Sequence, residues 1–214
     1  MTVKLIRMKL AVATLAMGAF VAGSAAYAEP ERSPEQVIMD ASELTLEALE
    51  GRRDELKADR KALFDVIDEI LLPRWDRQYT GQLVMGRYWR DATDEQREAF
   101  ITALYRKLLD SYGEGVLQYD ANQLKITGTR GKLEDGRVMV DSEVKLEDGT
   151  PVPISYRLRI HEGSWKVYDV VVEGISYVTN YRNQYASEFR SKGIEQVLEE
   201  LQKGESGDDG DAGS

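Results

Sequence analysis

A single histidine offers the first candidate for acid–base or metal chemistry in this chain. His161 precedes Glu162-Gly163 at the tip of a predicted hairpin, where side chains are usually exposed. The sequence contains no second histidine and no cysteine, so it lacks the nitrogen and sulfur ligands that zinc prefers. We therefore predict that His161 is an exposed turn residue and that the chain has no metal site.

One carboxylate occupies an unusual position. Asp169 is in the strongly apolar segment 165–172, and strand alternation would place it on the same face as Trp165 and Val167. A carboxylate buried there needs a compensating partner, for which we predict Arg182 in a structural ion pair. The alternative is a general base with a raised pKa, as in a pocket enzyme of the steroid-isomerase type.

Helical apolar spacing dominates the part of the chain that precedes these residues. Ser33 is a predicted N-cap, Pro73 a helix stop, and Thr93-x-x-Gln96 a capping box in front of a wide apolar face. The last of these helices should be central because its apolar face is so wide. Four helices are predicted, covering about residues 34–51, 54–72, 75–85 and 93–112.

The apolar spacing then changes from 3.6 to 2, which indicates strands. The connections contain Asp135-Gly136, Asp148-Gly149 and Glu162-Gly163, which supply the positive-φ positions of hairpins. The fourth strand is apolar on both faces and is predicted to be buried on both. Four strands are predicted, around residues 124–128, 138–146, 154–160 and 165–172, followed by helices at about 175–190 and 193–201.

This order of elements predicts an α+β fold, a curved four-stranded antiparallel sheet covered by several helices. Such folds often enclose a pocket, and the tyrosines support one. Tyrosine suits a cavity wall because its hydroxyl can reach water or the rim. Eight tyrosines lie on predicted apolar faces: Tyr105, Tyr112, Tyr119, Tyr156, Tyr168, Tyr177, Tyr181 and Tyr185.

The first 28 residues have the pattern of a cleavable signal peptide. Lys4, Arg7 and Lys9 precede an apolar run, and Ala28 ends a small-residue stretch. The apolar run is shorter than a spanning helix requires. We predict a leader at 1–28, a single domain at 29–203 and a disordered acidic tail at 204–214, with cleavage near Ala28 and Glu29 and export to the periplasm.

Charge and cysteine content exclude several functional classes. The chain has a net charge of −10 and no cysteine, and removal of a leader with only basic charges makes it more acidic. Such a surface repels nucleic acid and anionic bilayers. The absence of cysteine excludes disulfides and thiol chemistry.

Three segments of the sequence are distinctive: FDVIDEILLP (64–73), VMGRYWR (84–90) and WKVYDVVVEGISYVTNYRNQY (165–185). They resemble the MlaC or toluene-tolerance family of periplasmic phospholipid-binding proteins. The third segment is long and specific, and the resemblance extends from about Pro34 to Leu201.

The resemblance implies an NTF2-like sheet around an apolar pocket that holds the acyl chains of a phospholipid as cargo and leaves its head group in solvent, with no cofactor. It also implies a monomeric shuttle between an outer-membrane lipoprotein–porin complex and an inner-membrane ABC transporter with its MCE-domain ring. That role would maintain outer-membrane lipid asymmetry. A binding protein for small apolar solutes and a pocket enzyme based on Asp169 remain the other hypotheses.

Two groups of residues are predicted to carry the function. Arg74, Arg77, Arg87 and Arg90 form a basic island in an acidic chain, interpreted as a partner-docking face or a head-group contact, with a solvated helix surface as the alternative. The predicted lipid-binding residues are Phe64, Ile67, Leu104, Tyr105, Leu108, Tyr112, Val140, Tyr156, Leu158, Trp165, Val167 and Val171.

Overall fold

The structure is a computed structural model that describes residues 30–118, 124–145 and 149–207. The predicted leader, Tyr119 and residues 208–214 of the predicted tail lie outside this range. The last helix continues to Gly207, so the backbone of residues 204–207, which we had assigned to the tail, is helical.

Eight α-helices and five strands make up the described residues. The helices are α1 (Pro34–Leu49), α2 (Arg53–Ala58), α3 (Arg60–Leu71), α4 (Arg77–Met85), α5 (Tyr88–Asp91), α6 (Asp94–Tyr112), α7 (Tyr177–Lys192) and α8 (Ile194–Gly207). The strands are β1 (Leu124–Arg130), β2 (Arg137–Lys145), β3 (Pro151–His161), β4 (Ser164–Val172) and β5 (Ile175–Ser176). Short 3-10 helices cover Leu72–Arg74, Gly113–Gln118 and Leu133–Asp135.

Local signals explain where the helices begin. Thr93 forms the predicted capping box of α6 with Gln96. Ser33 is the predicted N-cap of α1, and the structure shows that it also forms a capping box, with Gln36. The predicted helix over 54–72 is divided at Asp59, whose carboxylate accepts a hydrogen bond from the Ala62 amide and caps α3. An Asp within a helical pattern thus begins a second helix because its side chain satisfies a free amide.

The sheet is an antiparallel meander with the order β1-β2-β3-β4-β5. It has five strands and not the predicted four, because Ile175 and Ser176 pair with Val172 and Val171 before α7 begins. Gly174, at φ +82°, makes the tight turn that brings β5 back to β4. Ser176 then caps α7 by accepting from the Thr179 amide.

A bulge in β4 determines which side chains reach the helices. Arg157 pairs with Asp169 and Leu158 pairs with Val167, so Tyr168 is an extra residue on β4. Beyond it Val170 and Val172 return to the face of Trp165 and Val167, because cross-strand partners share a face. The prediction that this strand is buried on both faces is wrong: the bulge places Trp165, Val167, Val170 and Val172 on one face and leaves Val171 on the other.

We call the face of the sheet that carries Leu158 and Val167 the inner face. α1 packs on part of it, where Val37 and Ile38 of α1 meet Val138, Val140, Leu158 and Trp165. Two further buried clusters lie among the helices, one around Phe100 and Tyr185 and one around Leu49, Leu63 and Leu109. The remainder of the inner face lies below a cavity.

Candidate functional site: an apolar cavity

A cavity of about 590 Å³ lies between the inner face and the helices. Residues of α1, α3, α6 and α7 border it on one side, and residues of β3 and β4 border it on the other. Most of these side chains are aliphatic or aromatic. The volume is typical of a site for a small molecule or cofactor, so the fold offers an apolar binding site.

The lining of the cavity includes exposed residues in two regions. Leu71, which is 42% exposed, and Arg74 border it beside α1. Tyr112, which is 51% exposed, and Gly115 border it at the end of α6. An extended ligand could therefore keep one part in solvent while its apolar part is enclosed.

Seven of the twelve predicted lipid-binding residues border this cavity. Five come from α3 and α6, where the wide apolar face of α6 signalled a central position. The seven residues are Ile67, Leu104, Tyr105, Leu108, Tyr112, Tyr156 and Val167.

The other five predicted residues do not border the cavity. Val140, Leu158 and Trp165 are buried under α1, with Trp165 4% exposed, so they belong to the core. Phe64 packs against Gly113 and beneath the Arg60 guanidinium. Val171 faces away because the bulge reverses the alternation, and it pairs with Ser155 on the outer face.

Several cavity residues were not predicted. One face of α1 contributes residues spaced as a helix requires, from Val37 to Thr45. Val170 and Val172 were missed because the bulge has no clear sequence signal. Tyr177 and Tyr181 had been noted as residues suited to a cavity wall, and they border it.

Trp75 forms a rigid part of the wall between α3 and α4. Its backbone bridges to Val167, and its indole Nε1 donates to Thr80 Oγ1 at 2.8 Å. Thr80 Oγ1 in turn donates to the Tyr168 carbonyl at 2.8 Å. These bonds tie the bulge to α4 and hold the indole ring 5.2 Å from that of Tyr105.

The tyrosine hydroxyls at the cavity are protected from ionisation. Burial, then a hydrogen bond to Asp68, raises the pKa of Tyr105. Burial, then the charge and hydrogen bond of Tyr112, raises the pKa of Tyr181 to about 12. Tyr177, whose ring meets that of Tyr112 edge-on at 5.5 Å, also has a raised pKa because of burial. These three tyrosines are therefore neutral at physiological pH.

Asp169 is buried but its oxygens are occupied. Arg157 Nη1 and Ser176 Oγ donate to Oδ2 at 3.1 and 2.7 Å, and the Val178 amide donates to Oδ1 at 3.0 Å. The predicted pairing with Arg182 is wrong: Arg157 lies directly opposite Asp169 in the sheet, whereas Arg182 is exposed and lies over Gly86. Three donors fix Asp169 as a structural link between the sheet and the start of α7.

The four arginines of the basic island have different surroundings. Arg74 borders the cavity and is half-buried. Arg77 Nη2 forms an ion pair with Glu98 at 2.8 Å. Arg87 stacks on the ring of Tyr88, and Arg90 is exposed.

His161 is the last residue of β3 and is half-buried instead of exposed, with its Nδ1 3.4 Å from Arg159 Nη2. The turn itself is made by Glu162 and Gly163, both at positive φ. In the described part of the chain, no group of three His, Cys, Asp or Glu side chains is placed to hold a metal. Nor is any helix in that part long and apolar enough to cross a bilayer.

Known proteins are similar to this chain in sequence and in fold. The family model described as "MlaC protein" matches residues 39–203. Toluene tolerance protein Ttg2D of Pseudomonas putida is 30% identical over 164 residues, which cover 76% of this chain and 75% of that protein. The intermembrane phospholipid transport system binding protein MlaC of Haemophilus influenzae is 22% identical over 195 residues, 90% of each chain.

A solved structure has the same architecture. It is the phospholipid-binding protein of Ralstonia solanacearum in complex with a phospholipid, with a TM-score of 0.74 and 26% sequence identity. The similarity covers 82% of this chain and 98% of that one.

Proposed function

Because the chain belongs to the MlaC family, we propose that it is a phospholipid carrier that encloses acyl chains in the cavity described above. The observation that carries the proposal is the apolar cavity of about 590 Å³, open to solvent at its edge. The Ralstonia relative of the same fold was solved with a phospholipid bound.

The physical need for such a carrier follows from the cost of exposing lipid to water. Each buried methylene contributes about 0.8 kcal/mol, so about 30 methylenes in two acyl chains amount to roughly 20 kcal/mol. Unassisted release into water is therefore extremely slow. A carrier must bind the tails with an affinity near that of a bilayer and transfer them while in contact with a partner.

The proposed location is the periplasm, with the leader at 1–28 removed. The Haemophilus relative is named for intermembrane phospholipid transport, which fits an aqueous space between two membranes. We assign transfer between an outer-membrane lipoprotein–porin complex and an inner-membrane ABC transporter complex with an MCE-domain ring, by a monomer, in support of lipid asymmetry. Exposed Arg87 and Arg90 are candidates for the docking face.

No catalytic step is needed for this function. Asp169, the sequence candidate for a general base, accepts three hydrogen bonds and holds the start of α7. Its position supports a structural role and does not favour the enzyme hypothesis.

Analysis of the cargo tests the proposal. Protein purified from its native periplasm without detergent should carry a two-tailed phospholipid at near one-to-one yield, seen both by native mass spectrometry and after organic extraction. Protein that is empty, or that carries only single-ring hydrophobic compounds, would contradict the carrier function. Protein unfolded and refolded without lipid is the control for adventitious lipid in the buffers.

A further inference from the structure

Two charged residues border the cavity in the part of the chain that the structure describes, and they differ in how they are satisfied. Asp169 accepts three hydrogen bonds, one of them from an arginine. Among the described residues, Arg74 makes one hydrogen bond, which its Nη1 donates to the Ile70 carbonyl at 2.7 Å. The guanidinium thus keeps most of its five N–H groups available.

Arg74 lies where the cavity meets solvent. It ends the 3-10 helix that follows α3, beside Leu71, which borders the cavity and is substantially exposed. Ala41 and Thr45 of α1 also border the cavity. If acyl chains fill the apolar interior, the polar part of the lipid at this opening lies next to Arg74.

The surroundings of Arg74 favour an anionic ligand. Partial burial lowers the pKa of its guanidinium, although an arginine stays charged at neutral pH. Asp40 is the acid whose charge acts on it most, but the Asp40 carboxylate pairs with Arg32 at 2.8 Å. A half-buried cation without a paired carboxylate is stabilised by any anion that reaches it.

A guanidinium suits a carboxylate or a phosphate, because its planar donors match two oxygens of either group at once. Such charge-assisted bonds are stronger than neutral ones. Of the two anions, the phosphate is the one that every phospholipid, the proposed cargo, carries. The other members of the basic island do not border the cavity.

We propose that Arg74 binds the phosphate of the phospholipid head group at the opening between α1 and α3, and so selects phosphate-bearing lipids. This proposal rests on the proposed carrier function. It defines the orientation of the bound lipid, with the head group at Arg74 and the tails extending toward α6 and α7. The other three arginines of the island are left for contacts outside the cavity.

A competition experiment tests the assignment. Delipidated full-length mature protein is incubated with vesicles that contain phosphatidylglycerol and diacylglycerol with the same acyl chains, then repurified and analysed by native mass spectrometry. We expect Arg74→Gln to lower the ratio of bound phosphatidylglycerol to diacylglycerol about tenfold or more, as expected for loss of a charge-assisted bond. Arg74→Lys should lie between the two, because it keeps the charge and loses the planar geometry.

Arg190→Gln is the matched control, since Arg190 is exposed at the end of α7 and does not border the cavity. It should keep the wild-type ratio. An unchanged ratio in Arg74→Gln would overturn the proposal, whereas a wild-type protein that takes up neither lipid would contradict the carrier function itself. Thermal unfolding followed by circular dichroism checks that each variant is folded. If Arg74→Gln is not folded, the ratio of bound lipids in Arg74→Lys tests the proposal.

Inorganic phosphate distinguishes a lipid head group from a free anion as the ligand. Calorimetric titration of the delipidated protein with phosphate should show no Arg74-dependent binding at concentrations at which the lipid saturates. Equal affinity for phosphate and lipid, lost together in Arg74→Gln, would overturn the head-group assignment in favour of a phosphate site.

Discussion

The inner face of the sheet is used in two different ways. In one half, which we call the packed half, Val140, Leu158 and Trp165 are covered directly by α1. In the other, the cavity half, Tyr156, Val167 and Val170 face an open volume of about 590 Å³. Both halves have the same alternation of apolar residues, so what lies above the sheet decides whether the space is filled.

The elements above the two halves differ in how they are held. α1 brings the branched side chains of Val37 and Ile38 down to the packed half. Above the cavity half, aromatic residues fixed by hydrogen bonds stand in the wall: Trp75 donates to Thr80 and Tyr105 donates to Asp68. Side chains tied at their polar ends resist collapse into the space, which keeps the cavity open.

Removal of a leucine side chain from the packed half, compared with removal of one from the helical wall opposite the cavity half, should have the largest effect. Leu158→Ala leaves a void in the packed half and should lower the free energy of unfolding by about 3–5 kcal/mol. Leu108→Ala only enlarges an existing cavity, so the loss should be less than about 2 kcal/mol. Urea unfolding of both lipid-free variants measures the difference.

The effect of the two variants on bound lipid should be the reverse of their effect on stability. Leu108→Ala should alter the amount or chain length of bound lipid, whereas Leu158→Ala should leave the cargo unchanged. Equal losses of stability in the two variants would mean that the halves do not differ in packing as described.

The alkaline limit of stability should also separate the halves. The buried members of the packed half are aliphatic residues and Trp165, none of which ionises. Burial raises the pKa of Tyr181, on the helical wall opposite the cavity half, to about 12. An unfolded tyrosine ionises near pH 10, so between these values the unfolded state loses a proton that the folded state keeps. Stability from this group is fully present below about pH 10 and is lost as the pH rises toward 12, by roughly 2–3 kcal/mol.

In Tyr181→Phe, the total decrease in unfolding free energy between pH 9.5 and 12 should therefore be smaller by about that amount. Urea unfolding of wild type and variant across this range, with pH 7 as the reference, measures it. If both proteins lose stability in parallel, Tyr181 is not protected from ionisation in the folded state.

The sequence predicted the packed half and the cavity half unequally. Alternation predicted four of the five strands, and the capping box at Thr93 predicted the start of α6, because these signals are local. The division of the inner face was not visible: Leu158 and Val167 look alike in sequence, and only the position of α1 makes one core and the other cavity wall. The bulge at Tyr168 explains the error at Val171, since one extra residue reverses every side chain beyond it.

Long-range pairings were the least predictable feature. Asp169 was identified as buried from the apolar strand around it, yet its partner Arg157 comes from the register of β3 and β4. The basic island was recognised in the sequence as four nearby arginines. Which of the four borders the cavity depends on where the chain turns after Pro73, and only Arg74 does. Sequence spacing does not determine such turns.

The smallest expected change in stability comes from adding volume instead of removing it. Ala41 lies on the face of α1 that borders the cavity, so Ala41→Leu should place its added carbons in open space. The free energy of unfolding of the lipid-free protein should stay the same or rise by up to about 1 kcal/mol. Lipid uptake from vesicles should fall severalfold because the side chain occupies the space of an acyl chain.

Gly81→Ala is the matched addition at a packed contact. A methyl group there would lie 2.4 Å from Cγ1 of the buried Ile101, and the clash should outweigh the better helix propensity of alanine, for a net loss of about 1 kcal/mol. Lipid uptake should not change. If Ala41→Leu destabilised the lipid-free protein as much as Gly81→Ala does, the space beside α1 would be closed without lipid, and the aromatic wall would not be what keeps the cavity open.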